Sequence, residues 1–331
     1  MRHDTRTAPP LTLPRVLTAV QLRSEGISPA QAAARARPKG PWQALLPGVY
    51  LPHRSTATSE ERLHGALLYA VRPAASQGGT APPCGEAVIT GLAALALHQF
   101  DSAPPLLDLE HIDVLVPRSR RLRSAGYARI VRAQEMPEAQ EITGLPVAPV
   151  ARALADAVAR LGDTGAVRPL LAEAVRRGHC EPGAVVAELN RSRLLDRPHV
   201  VEAVDSLLAE GRALAEERLY AMVDGEGLPD PLWNVDLRIP GGPLLGAVDA
   251  YWPDHAVAVE LNTRTPRRDR DAAWSECVRK REHLERLGIT VVHLTPQGLR
   301  ESAEQQAMVV RTALMTASER EPAAYVVVLP R

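Results

Sequence analysis

Residues 246–262 read GAVDAYWPDHAVAVELN, and this stretch decides the fold. It holds two strand-like runs, Leu245 to Ala250 and Ala256 to Leu261, separated by the turn signal Pro253-Asp254. The second run is almost unbroken apolar, as a strand in the middle of a sheet requires. Asp249 lies near the end of the first run and Glu260 near the end of the second, with Asn262 two residues further on. Two carboxylates at neighbouring strand ends can share one hard cation. Mg²⁺ takes oxygen ligands and keeps several waters, so such a pair, a metal-bound water and a phosphate oxygen together make a hydrolytic site. The spacing points at phosphodiester chemistry.

The flanking residues extend the pattern. Ala213 to Val223 has helical periodicity and carries Glu216 and Glu217, GLPDP ends it, and Trp233 to Ile239 is a strand-like run closed by Pro-Gly-Gly. After the quoted stretch come a helical segment from about Asp269 to Leu287, Gly288 as its stop, and an apolar strand, Ile289 to Leu294. The order is helix, three strands, helix, strand.

Over Ala213 to Leu299 the chain resembles the PD-(D/E)XK nuclease superfamily, within it the branch similar to very-short-patch-repair endonucleases. The resemblance rests on the element order, Asp249, the Glu260-x-Asn262 triplet and the acidic helix before them. It implies a restriction-endonuclease-like αβββαβ core, Asp249 and Glu260 as Mg²⁺ ligands, and Glu216 as the first-helix acid. Glu216 and Glu217 point about 100° apart on a helix, so either could face the pair, and the spacing to GLP in the family favours Glu216. Asn262 stands where the family has Lys or, in this branch, often Asp. Asn hydrogen-bonds a water but neither accepts its proton nor brings charge to a cation. Lys280 and Arg281, from the next helix, are placed to reach a scissile phosphate and partly compensate. Two readings stay open: metal-dependent DNA cleavage, in repair or defence, and a retained fold without the chemistry, its carboxylates capping strand ends or pairing with nearby arginines.

Length and charge are compatible with either. The chain has 331 residues, enough for two or three domains, and 39 basic against 39 acidic side chains, so no global basic field marks it for nucleic acid. The first fifty residues are different: Arg2, Arg6, Arg15, Arg23, Arg35, Arg37 and Lys39 face only Asp4 and Glu25. Cys84, Cys180 and Cys277 are scattered and odd in number, which fits neither a disulfide framework nor a zinc site. The first residues, MRHDTRTAPPLTLP, lack the apolar core of a signal peptide, and no run is long enough to span a bilayer. The expectation is a soluble cytoplasmic protein with no membrane partner.

Near the N-terminus, Leu17 to Glu25 reads as a helix, Gly26 ends it, and Ser28-Pro29 opens a second helix continuing through Gln31 to Arg37. This helix-turn-helix would present Gln31, Arg35 and Arg37, with Lys39 just beyond, to base edges and phosphates. Trp42 to Leu51 then supplies a short hairpin, a wing. From about Thr12 to Pro52 the chain resembles the winged-helix domain of AbiEi-type antitoxins. That resemblance implies duplex DNA as ligand, transcriptional regulation, a cognate toxin, and a homodimer on paired half-sites. The bland alternative is a small helical cap with solvated arginines.

The middle carries less chemistry. Ser59 to Val71 and Ala87 to Phe100 read as helices, with the flexible composition of PAASQGGTAPPCG between them. His111 to Val116 and Ala128 to Ala133 read as paired strands joined by PRSRRLRSAG, whose Arg118, Arg120, Arg121 and Arg123 either grip a phosphate backbone or are simply solvated. His98, on an apolar helix, reads as a satisfied core residue. Four amphipathic helices follow, Val150 to Leu161, Val167 to Gly178, Pro182 to Asn190 and Pro198 to Glu210. The expected fold class is α/β, more closely an α+β multidomain chain: a winged helix over 1–55, a mixed α/β segment with a helical connector over 56–210, and the endonuclease-like core over 211–331.

Overall fold

In the computed structural model the chain divides into two units, Met1–Arg160 and Leu161–Arg331. The described residues are 16–71, 87–263, 270–318 and 326–331. Arg2, Arg6, Arg15, the stretch 73–85 and Cys84 lie outside them, as does the side chain of Cys277. Both units are mixed α/β, and among the described residues no helix is long and apolar enough to cross a membrane.

In the first unit, β1 (Leu17–Thr18) leads into α1 (Ala19–Ser24) and α2 (Pro29–Arg35), followed by the hairpin β2 (Gln43–Leu46) and β3 (Val49–Leu51). Both helices are short, and each is held by a reciprocal capping box, Thr18 with Gln21 and Ser28 with Gln31. Gly26, at φ 77°, makes the turn between them. The three strands pair antiparallel in the order β1-β3-β2 over a small core of Leu17, Leu22 and Ala32.

The rest of the unit packs around a second sheet. Helix α3 (Ser59–Val71) is followed by β4 (Val88–Thr90), α4 (Gly91–Leu97), β5 (Ile112–Pro117), β6 (Ala128–Ala133), β7 (Gln140–Ile142), β8 (Leu145–Val147) and α5 (Val150–Val158), the sheet order being β6-β5-β4-β8-β7. The helix expected over Ala87 to Phe100 is therefore a strand and then a shorter helix. Val88, Ile89 and Thr90 are β-branched, fully buried and paired with β5, and β-branching favours the pleated surface over a helix. Gly91 makes the switch at φ 63°, where a Cβ would also lie 2.8 Å from Asp113 Oδ2. Strands β5 and β6 pair, but in parallel, so the arginine-rich connection runs back along the sheet instead of forming a hairpin tip.

The second unit opens with α6 (Thr164–Arg176) and α7 (Pro182–Arg191), so these helices group with the C-terminal part of the chain. They are followed by α8 (Pro198–Gly225), a single helix of 28 residues that runs straight through the boundary expected near Gly211. A mid-helix glycine costs roughly 1 kcal/mol relative to alanine. Here packing explains it: a Cβ at Gly211 would lie 2.6 Å from Pro182 Cγ at the start of α7. Gly211→Ala should therefore lower stability by about 1–2 kcal/mol, overpacking outweighing the gain in helix propensity. Urea unfolding measures this, and a stabilised variant would show that α7 yields freely.

After α8 come β9 (Leu232–Arg238), β10 (Leu244–Trp252), β11 (Val257–Leu261), α9 (Arg270–Arg286), β12 (Thr290–Leu294), α10 (Pro296–Glu301), α11 (Ala303–Ser318) and β13 (Val327–Pro330). The sheet order is β12-β11-β10-β9-β13; only β11 and β12 are parallel, with α9 as their crossover. One face buries Ala250, Trp252, Val257, Val259, Leu261 and Leu294 with Ala215, Leu219 and Met222 of α8 and Val310 of α11. The other buries Leu237, Tyr251 and Ala258 with Leu284 of α9. The apolar run of β11 is explained by this double burial.

Candidate nucleic-acid interface and carboxylate site

In β10 and β11, Ala250 pairs with Val259, Tyr251 with Ala258 and Trp252 with Val257. This pairing ends at Ala250 and Val259, and Asp249, one residue beyond, reaches β11 through its side chain, which accepts from the Leu261 N–H. Parallel pairing then sets Glu260 beside His293 of β12. The two carboxylates thus lie on neighbouring strands just past the last β10–β11 pair, Asp249 contacted from α8 and Glu260 from α9.

Their oxygens are already engaged. Asp249 is 7% exposed; its Oδ1 accepts a hydrogen bond from Arg212 Nη2 at 2.5 Å and its Oδ2 one from the Leu261 backbone N–H at 2.6 Å. Arg212 Nε also lies 2.8 Å from Glu216 Oε1, so one guanidinium bridges the two acids. Glu216 faces the site, one turn beyond Arg212 on α8, while Glu217 is exposed. Glu260 Oε1, buried, lies 2.5 Å from Lys280 Nζ, an ion pair at an angle that makes no hydrogen bond. Its Oε2 lies 3.7 Å from His293 Nδ1. Lys280 Nζ also donates to the Ala247 carbonyl, and its stem crosses Gly246, where a Cβ would lie 2.6 Å from Lys280 Cε.

Of the sequence-predicted residues, Asp249, Glu260, Glu216 and Lys280 enter this arrangement. Asn262 is exposed just past β11, its backbone N–H bonded to the Leu294 carbonyl at 2.8 Å. Arg281 instead pairs with Glu285 along α9 at 3.7 Å. Two participants went unread in the sequence. Arg212 precedes Glu216 by one helical turn, a signal visible only if α8 continues through Gly211. His293 is revealed only by the β11–β12 register.

As arranged, the pair does not fit Mg²⁺. The cation requires open carboxylate oxygens, and Arg212 and Lys280 already neutralise the acids it would use. Among the described residues, no group of three or more His, Cys, Asp or Glu side chains is placed to hold a metal ion.

In the first unit, Arg35, Arg37 and Lys39 are all exposed, at and just after the end of α2. The Arg35 guanidinium lies 4.9 Å from the Trp42 ring centroid, a cation–π contact that fixes the side chain without removing its charge. Gly40 allows the chain to turn back here, since a Cβ would lie 2.1 Å from the Arg35 carbonyl oxygen. Gln31 is exposed, but its Oε1 accepts the Ser28 backbone N–H at 2.8 Å. Only its NH₂ group remains for a base edge.

The arginine-rich connection is similarly divided. Arg118, Arg121 and Arg123 are exposed, whereas Arg120 Nη2 donates to the Ala70 carbonyl at 2.7 Å. Arg132 of β6 ties the connection down by donating to the carbonyls of Arg120 and Leu122. Arg120 and Arg132 are thus structural anchors. His98 is satisfied in the core, its Nε2 lying 2.9 Å from the Ala148 carbonyl oxygen.

No protein-family model matches the chain, and no curated protein matches it.

Proposed function

We propose that this chain is a cytoplasmic protein that binds duplex DNA through α2 and the segment after it, in the manner of an AbiEi-like transcriptional regulator. The observation that carries the reading is the exposed set Arg35, Arg37 and Lys39 at the end of a doubly capped helix pair that is followed by a hairpin. A basic helix end with a wing beside it suits phosphate contacts flanking a major groove. The reading includes a homodimer on paired half-sites and a cognate toxin as partner. It assigns the nuclease-like unit a binding or architectural role, because its carboxylates are neutralised by Arg212 and Lys280.

Affinity for duplex DNA, measured against salt concentration, tests this. Phosphate contacts release counterions, so affinity should fall steeply with salt. Replacing Arg35, Arg37 and Lys39 together by alanine should weaken binding roughly ten- to a hundredfold and lower the salt slope by about 2 to 3 units. Unchanged affinity and slope would move the interface elsewhere or remove DNA as a ligand.

A second reading, a Mg²⁺-dependent endonuclease, is favoured by one specific observation: Asp249 and Glu260 lie on neighbouring strands just past their last paired residues, and a lysine reaches the glutamate. Adding Mg²⁺ or Mn²⁺ and supercoiled plasmid to the same assay separates the readings. The regulator leaves the plasmid intact, whereas the endonuclease nicks it and loses that activity on Glu260→Ala.

A further inference from the structure

A second polar site lies in the first unit, at the β6 edge of the five-stranded sheet. A pocket of about 400 Å³ is lined by His111 before β5, Ser124, Ala125 and Gly126 of the arginine-rich connection, Ala128, Arg129 and Ile130 of β6, and Arg160. We propose that it binds a phosphate group, held by Arg129 and Arg160 with His111 and Ser124 completing the shell.

The charge balance carries the argument. Arg129 and Arg160 are permanently cationic, and a guanidinium offers five donors in a fork that matches a phosphate. Arg160 is exposed, and among the described residues no carboxylate lies within ion-pair distance of it. The acid nearest Arg129 is Asp113, with Oδ1 3.9 Å from Arg129 Nε. That separation is too long for a hydrogen bond, and Asp113 Oδ1, buried, has no hydrogen-bond partner. Burial, with a smaller push from Asp156, holds the Asp113 carboxyl above the ordinary range against the pull of Arg129, Arg160 and His111. Of the other nearby acids, Asp156 is taken up by Arg152 and Thr90, and Glu110 is 90% exposed and lies 3.8 Å from His111. Ser124 Oγ accepts the Ile130 backbone N–H at 2.9 Å, leaving its own O–H to donate into the pocket. Two forks, a hydroxyl donor and an imidazole therefore surround a space with too little fixed negative charge to satisfy them.

The phosphate comes either from a nucleic-acid backbone or from a small phosphorylated molecule. Calorimetric titration of the full chain with inorganic phosphate, in chloride buffer of matched ionic strength, tests the shared chemistry. Wild type should show saturable binding to one site, and Arg160→Gln and Arg129→Gln should each weaken it at least about tenfold. Arg160 is exposed, so its variant remains informative even if Arg129→Gln unfolds the unit by stranding Asp113. Duplex DNA separates the sources. If Arg160→Gln weakens DNA binding several-fold and inorganic phosphate competes beyond the chloride control, the occupant is a backbone phosphate. If DNA affinity is unchanged while phosphate binding falls, it is a small phosphorylated molecule. Absence of saturable phosphate binding to wild type, or binding to a folded Arg160→Gln as tight as to wild type, overturns the proposal.

Discussion

Asp156→Ala is expected to destabilise the first unit by about 3–5 kcal/mol, because it strands a nearly buried guanidinium. Asp156 accepts from Arg152 Nε and Nη2, both at 2.9 Å, one oxygen each. The Arg152 side chain is only 14% exposed, and the Asp156 side chain 8%. The oxygen facing Nε also accepts from Thr90 Oγ1 at 2.6 Å, and Thr90 is fully buried at the end of β4. Removal of the carboxylate thus leaves a charge without its partner and a hydroxyl without an acceptor, on the strand that joins β5 to β8. Asp156→Asn keeps an acceptor for Thr90 and should cost less. Denaturant unfolding would show the effect in the transition of the first unit alone; a loss below about 1 kcal/mol would mean that water reaches and solvates Arg152.

The elements that sequence made legible are those with local signals. The capping boxes at Thr18 and Ser28 lie within four residues, and the turn after α1 needs only Gly26. The strand, turn and strand from Leu244 to Leu261 are marked by alternating and continuous apolar runs. Errors arose where a distant partner decides the conformation. VIT before Gly91 is apolar enough for a helix, and becomes β4 because β5 and β8 offer it hydrogen bonds. Gly211 looks like a breaker, yet it lies inside α8, where its missing side chain leaves the room that Pro182 fills. Strand β13 and helices α10 and α11 went unassigned, β13 lying at the far edge of its sheet from β12.

The candidate site divides along the same line. Spacing alone puts Asp249 and Glu260 on consecutive strands, and β10 and β11 are those strands. Their counter-ions were not legible: Arg212 is 37 residues from Asp249, and His293 belongs to a strand reached only through a crossover helix. Whether a carboxylate pair stands open for a cation depends on these neighbours, and neither the apolar pattern nor the Asp249 and Glu260 spacing contains them. In the N-terminal helix pair, the exposure of Arg35, Arg37 and Lys39 followed from their place at a helix end. The use of Gln31 as a capping acceptor could have been foreseen too, since Ser28 and Gln31 stand at capping-box spacing.

Lys280→Met is expected to lower the stability of the second unit by about 3–5 kcal/mol, the cost of removing one partner from a buried ion pair. Methionine keeps the apolar stem that crosses Gly246, so the change removes the ammonium with little loss of packing. Glu260, whose side chain is 13% exposed, then retains only His293 at 3.7 Å, and the Ala247 carbonyl loses its donor. Mg²⁺ turns this into a test of the second unit's chemistry. A ligand that binds only the folded state raises stability by RT ln(1 + [L]/Kd). With Lys280 on Glu260 and Arg212 on Asp249, wild type should unfold at the same denaturant concentration with or without Mg²⁺ at constant ionic strength. In Lys280→Met one carboxylate is released while Asp249 remains held by Arg212, so any recovery with Mg²⁺ should be a minor part of the loss. Strong stabilisation of wild type by Mg²⁺ would mean that the cation displaces both basic side chains, and the hydrolytic reading would then take precedence over the binding one.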